Sequence, residues 1–330
     1  ITFYNLDYMK NKLTLATIAI SAVVLLTIQS CKKEEPEKNN SSNDSNIIES
    51  NRSGGFHSYA ERNVLHFESA EGLLSMASSV IRMNDSERTK WEEHNNFKSF
   101  YTKCNELIET MDTTNINSIH NFVKNNSDYF YLSVQDNETY LLSYFDESFL
   151  RYFLNSYKMI SVADRYYKIF KEGYIVASEE DKDYLYMIDS FEQSMYVNEL
   201  DYYPASRTVY DEEVYESIDG KDKLKVAFKI ESHPIFYNCA LVNIYPYHKT
   251  LGIWIRCKRT ISANVSAEWT YSYFSNDVHT GSGNFQVDSD KSFGVSYEFG
   301  FMTSFTNLNS GHFTSTSGWA DTPSVPTCNF

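Results

Sequence analysis

The chain has 330 residues, with 44 Asp plus Glu against 29 Lys plus Arg and a formal net charge of −15. Nucleic acid phosphates and anionic headgroups repel so acidic a protein, which argues against a nucleic-acid partner. Aromatic residues make up 16% of the chain, as 26 Tyr, 22 Phe and 4 Trp, enough to fill strand faces and still leave rings for glycan or protein recognition.

Residues 1–8 precede Met9 and carry no signal feature, so they read as an over-extended start. From Met9 the chain runs Met-Lys-Asn-Lys, then mostly apolar over 13–28, then Gln29-Ser30-Cys31. Two lysines, a short apolar stretch and a small residue before the processing point are the tripartite layout of an export signal over 9–30. Ile28-Gln29-Ser30-Cys31 resembles the lipobox of bacterial lipoproteins, although Gln29 stands where a small or β-branched residue is usual. The resemblance implies cleavage between Ser30 and Cys31 and acylation of Cys31; the alternatives are an ordinary signal peptide cut elsewhere or an uncleaved anchor. Several acyl chains, at about 0.8 kcal/mol per buried methylene, would make the anchor permanent. The implied location is the outer membrane, lipid-anchored and cell-surface exposed, with a periplasm-facing orientation as the alternative.

Residues 31–59 are rich in charge, Asn and Ser and end near Ser53-Gly54-Gly55. Such a stretch cannot bury enough apolar surface to offset its chain entropy, so it reads as a flexible tether. The acidic residues just after Cys31 also resemble the surface-export signal of Bacteroidetes-type lipoproteins, although Lys32 and Lys33 come first here.

Residues 60–205 read as an α+β domain. Leu73, Met76, Ala77, Val80 and Ile81 share a helical face after Ser69, a good N-cap. Asn84-Asp85-Ser86-Glu87 caps a second short helix through Trp91. Phe97, Phe100, Tyr101, Cys104, Leu107, Ile108 and Met111 form one apolar stripe, and Ile116, Ile119, His120 and Val123 a shorter one. Residues 147–154 read as one more helix, beside a hairpin of strands 157–162 and 166–170. Phe67-Glu68-Ser69, Ser86-Glu87-Arg88 with Trp91-Glu92, Phe97-Lys98-Ser99 and this hairpin are similar to the opening domain of uncharacterised Bacteroidetes-type cell-surface lipoproteins, over about residues 64–176. That family carries no established activity, so the resemblance implies no catalytic residue.

Residues 178–223 read as an acidic, Tyr-rich connector with a domain boundary near 205–222. Residues 222–330 read as an antiparallel, β-sandwich-like domain. Leu224, Val226, Phe228 and Ile230 alternate with polar residues, as do Ile261, Ala263, Val265, Ala267, Trp269, Tyr271 and Tyr273, and Phe293, Val295, Tyr297, Phe299 and Phe301. His279-Thr280-Gly281-Ser282-Gly283 reads as a turn between two strands. The fold class is thus α+β, a small helical layer with a hairpin region followed by a β-sandwich-like domain.

With Cys31 assigned to lipid, Cys104, Cys239, Cys257 and Cys328 remain, and oxidising surroundings allow two bridges in three connectivities. Cys239 and Cys257 flank residues 241–255, which read as a hairpin; pairing them leaves Cys104 with Cys328. Cys104 also reads as a buried free thiol on its apolar stripe.

Chemistry is sparse. Nucleophile, phosphate-loop and dinucleotide motifs are missing from any fitting context, and the eight histidines have no metal-ligand spacing, so no metal and no cofactor is expected. Asp288-Ser289-Asp290 resembles the start of a calcium loop without its glycine or distal Glu, and reads as a solvated turn. Trp254 with Tyr245 and Tyr247 is a candidate aromatic binding patch. The reading is a membrane-anchored binding or structural module for a glycan or protein partner; the alternative is a glycan-directed extracellular hydrolase, with acidic pairs such as Glu179-Glu180 or Glu212-Glu213 as its carboxylates.

Overall fold

A computed structural model of the chain describes residues 63–146, 148–190, 200–204, 209–216, 220–233, 237–272, 279–302, 304–317 and 327–329. The export signal, the lipobox with Ser30 and Cys31, and the tether lie outside the described residues.

Four helices come first, each begun by a polar cap that accepts from an otherwise orphaned N–H. Ser69 caps α1 (Ala70–Arg82), which buries Leu73, Ala77, Val80 and Ile81. Asn84 and Glu87 form a reciprocal capping box on α2 (Asp85–His94). Ser99 caps α3 (Phe100–Glu109) and Asn115 caps α4 (Ile116–Asn125). The stripe read from Phe97 to Met111 is helical only between residues 100 and 109, because Ser99 starts the helix and Thr110 ends it.

Three sheets follow. The first has five strands: β1 (His66–Phe67), β4 (Met159–Val162), β5 (Arg165–Ile169), β6 (Gly173–Ala177) and β7 (Asp201–Pro204), in that order. Its β4–β5 pair is the hairpin expected around Ala163. The second sheet runs β2 (Phe130–Gln135), β3 (Glu138–Ser143), β11 (Ile253–Arg256), β10 (Tyr237–Thr250), β9 (Asp222–His233) and β8 (Val209–Glu216), and β14 (Val295–Met302) also pairs with β10. The third is β13 (His279–Ser292), β12 (Arg259–Ser272), β15 (Ser304–Ser317) and β16 (Thr327–Asn329). A short helix, α5 (Lys182–Met187), lies between β6 and β7.

Period-two alternation places the cores. On β12, Ile261, Ala263, Val265, Ala267 and Trp269 point inward and meet Leu224, Val226 and Phe228 of β9 and Val242 and Ile244 of β10. Cys239 and Leu241 of β10, on the opposite face, join Ile253 and Ile255 in a core with Leu73, Val80, Phe100 and Phe153. β10, paired antiparallel with β9, β11 and β14, is therefore covered by apolar residues on both faces.

Several expectations are corrected. All described residues on either side of the boundary read near 205–222, between 60–205 and 222–330, fall in one compact unit, Gly55–Phe330. A two-stranded hairpin has no independent stability, and β3 finds its next neighbour in β11, parallel, with Ile253 opposite Thr139 and Trp254 opposite Tyr140. The connector carries α5, β7 and β8. Among the described residues of the helix read over 147–154, the helical element is a 3-10 turn, Phe149–Tyr152. His279 to Gly283 and Asp288 to Asp290 are not turns but lie within β13, paired with β12. Gly281 faces Trp269, and a Cβ there would fall 2.6 Å from the indole nitrogen; the glycine admits the ring rather than bending the chain. On β9 the alternating lysines are not solvated: Lys223, Lys225 and Lys229 are buried too.

Candidate functional site

The candidate aromatic patch lies inside the protein. Trp254 is 0% exposed and Tyr245 and Tyr247 are 1% exposed, because β10 and β11 turn these rings toward Tyr140 and Leu142 of β3. Lys223 and Lys249 place their ammonium groups 4.4 and 4.9 Å from the Trp254 ring centre, an arrangement that binds the cations to the ring from within. No partner can reach these three residues without opening the sheet, so they are not the expected docking patch.

The cysteine pairing is corrected by register. In the β10–β11 hairpin Tyr247 sits opposite Arg256, and the Cys257 N–H donates to the Pro246 carbonyl. Cys239 is seven residues further along β10, about 23 Å at the rise of a strand, well beyond the reach of a disulfide. Cys104 is an unbridged, buried thiol, so it is not joined to Cys328, whose side chain lies outside the described residues. Burial pushes the Cys104 thiol well up and the Cys257 thiol to about 11, which leaves both poorly reactive. Glu179 is exposed and paired with Lys182, and the side chains of Glu212 and Glu213 lie outside the described residues.

The densest polar cluster is structural. Arg151, 2% exposed, donates to the Tyr245 hydroxyl at 2.9 Å, the Tyr152 hydroxyl at 2.6 Å, Ser296 Oγ at 2.8 Å and the Asp146 carbonyl. The Asp146 carboxylate in turn pairs with buried Arg256 at 3.1 Å and accepts from the Ser143 N–H at 3.0 Å. The Arg256 guanidinium lies 4.0 Å above the Tyr245 ring centre. Every one of these groups is turned inward, so the network ties the 3-10 turn to β10 and β14 and offers nothing to a ligand.

Among the described residues, a cavity of about 260 Å³ does open outward. It is lined by the α4–β2 turn (Ser127, Asp128), the turn after β3 (Tyr144, Phe145), Lys158 before β4, the β5–β6 turn (Phe170, Lys171, Glu172) and the segment after α5 (Asp189, Ser190). Asn155 builds the turn that presents Lys158. Its side-chain oxygen accepts from the N–H groups of Tyr157 and Met159, both at 3.0 Å, while its carbonyl accepts from the Lys158 N–H at 2.9 Å. Lys158 is thereby held at φ +65°, a left-handed conformation that costs a side-chain-bearing residue roughly 1–2 kcal/mol. Its amine lies 4.9 Å from the Tyr144 ring centre. Burial pulls the Lys158 amine down, against the opposing pull of Asp128, Glu172 and Asp189. Burial likewise pushes the Tyr144 phenol up, helped by Asp128 and Glu172.

A second lysine nearby shows the contrast. Lys168 on β5 is 5% exposed and donates to the carbonyls of Leu185 at 2.7 Å and Ile188 at 2.6 Å, closing the C-terminal end of α5. Burial, then the charge of Lys158, bring it down to about 8, with Asp189 and Asp128 opposing. The unfolded chain, with an ordinary lysine value near 10.4, holds more protons than the native state between those limits, so stability rises with pH from about 8 to about 10. Thermal melts of the wild type should show that rise, and Lys168→Met should flatten it; an unchanged slope in the variant would assign the rise elsewhere.

No sequence signal singled out this cavity. Lys158 fell inside an expected strand (157–162), and Asp128, Glu172 and Asp189 belong to separate turns that only the tertiary fold assembles.

No family model matches the chain, and no curated protein matches it. Among solved structures, a DUF4848 family protein from Bacteroides thetaiotaomicron is similar, at 10% identity over 80% of this chain and 95% of that one, with a TM-score of 0.27. A likeness that loose carries no argument for a shared site or activity.

Proposed function

We propose that this protein is a binding module, anchored through acylated Cys31 at the outer membrane and exposed at the cell surface, which takes a small polyhydroxylated group such as a terminal sugar of a glycan. The observation that carries this reading is the Lys158 cavity. Tyr144, Phe145 and Phe170 offer apolar and aromatic walls, while Lys158, Asp128, Glu172, Asp189 and the serines Ser127 and Ser190 supply donors and acceptors around them, the mixture that small-ligand sites use. Three carboxylates against two lysines disfavour an anionic ligand, so a neutral sugar fits better. The β strands from 222 onward would then form a sandwich-like support, the second and third sheets facing one another across Val242 and Ala263.

A glycan array and pull-down with the full chain test the reading. Retention of a glycan with a neutral terminal sugar is expected, at least tenfold weaker, about 1.4 kcal/mol, in Tyr144→Ala. Retention of nothing, together with turnover of a polysaccharide, would replace the binding module with a hydrolase. Mass spectrometry of the mature N-terminus tests the anchor: an unmodified Cys31 with the leader attached would remove it.

A further inference from the structure

We propose that Lys158 is a carbonyl-capturing amine, which forms an imine with an aldehyde or ketone that enters the cavity, the open-chain reducing end of a sugar being the class that fits its walls. The proposal rests on the reading of this cavity as a ligand site.

Three features of geometry single out this lysine. First, its amine lies beside Tyr144, an aromatic ring of the cavity lining itself, whereas the Lys171 amine lies 5.3 Å from Tyr131, which is not among the described lining residues, Lys168 is occupied by two carbonyls and Lys223 by Glu138 and Tyr140. Second, the backbone at Lys158 is held left-handed by the Asn155 turn. Glycine or asparagine would occupy such a position with less strain, and strain retained by a folded protein gathers where side-chain placement matters. Third, Asp128, Glu172 and Asp189 line the same cavity, within the reach of an incoming group. Partial burial adds to these features by favouring the neutral amine, the form with a lone pair to donate.

The step balances without a further reactant. The Lys158 nitrogen lone pair adds to the carbonyl carbon, and the C=O π pair moves to oxygen, giving a carbinolamine. The C–O bond then breaks and the C=N bond forms; the oxygen leaves as water, carrying the two protons that the amine gave up. The carboxylates of the cavity relay those protons. Lys168 cannot do the same although its amine is drawn down further, because it is enclosed and donates to the Leu185 and Ile188 carbonyls at the end of α5.

The test is reductive trapping. The full chain is incubated near neutral pH with glyceraldehyde and cyanoborohydride at low conversion, digested, and alkylation is quantified lysine by lysine. Lys158 should be labelled several-fold faster than Lys171 on the rim of the same cavity, with Lys168 protected, and the excess label should vanish in Lys158→Arg, which keeps the charge but not the nucleophile. Because peptide mapping reads the wild type directly, the result does not depend on the variant folding. Labelling of Lys158 no faster than Lys171 overturns the proposal. If glycan retention still depends on Tyr144 in that event, the cavity remains a binding site and only the covalent step falls; if neither is seen, both readings fall.

Discussion

Arg151→Met is expected to remove about 3–5 kcal/mol of folding stability, because several buried oxygens lose their donor at roughly 1–3 kcal/mol each. A domain of this kind carries a total of about 5–15 kcal/mol, so the variant should express poorly or melt far below the wild type. The reason lies in what the guanidinium leaves behind. Tyr245, Tyr152 and Ser296 would each lose a donor in a site without water access, and the Asp146 carbonyl would lose one of its two. Arg151→Lys should rescue little, because an ammonium cannot span the same fork of acceptors. Arg165, exposed on β5, is the control, and its replacement by Met should change stability by less than about 0.5 kcal/mol. Urea unfolding of the three variants checks the set; an Arg151→Met protein as stable as Arg165→Met would show that the network contributes nothing.

Trp254→Ala should cost about 3–5 kcal/mol, the range for emptying a buried large aromatic site. The indole stacks near Tyr140, at a ring separation of 6.4 Å, and lies under the Lys223 and Lys249 ammonium groups. Removing it leaves a void between β3 and β11 and strips two partly buried cations of a partner. An exposed recognition residue would behave differently, since its loss would weaken ligand retention and leave the melting curve nearly unchanged. Chemical denaturation beside glycan retention therefore separates the two roles, and a destabilisation under about 0.5 kcal/mol would return Trp254 to the surface.

The parts of this fold that were legible in the chain are the local ones. Ser69, Asn84 with Glu87, and the 3.6-residue stripes identify the first helices because capping and amphipathicity are written within a few residues of one another. The β12 alternation from Ile261 to Trp269 also predicts its buried face correctly. What failed depends on partners far away in the chain. Gly281 looks like a turn residue until Trp269 is seen opposite it, and the β9 lysines look solvated until Glu138 and Tyr140 cover Lys223. Trp254 and the two tyrosines are likewise indistinguishable from a surface patch by composition, since aromatics serve both packing and recognition. The Lys158 cavity was invisible for the same reason: among the described residues, five separate segments supply its lining.

The parallel seam between β3 and β11 also orders the birth of the protein. Thr139 must wait for Ile253, so the hairpin that emerges early from the ribosome keeps one row of backbone amides and carbonyls uncovered through much of translation. Such an unfinished margin is a template for pairing with a neighbouring copy, and late closure of distant segments slows folding. A chaperone that shields nascent residues 130–143 would consequently matter more to yield than one acting on the completed protein.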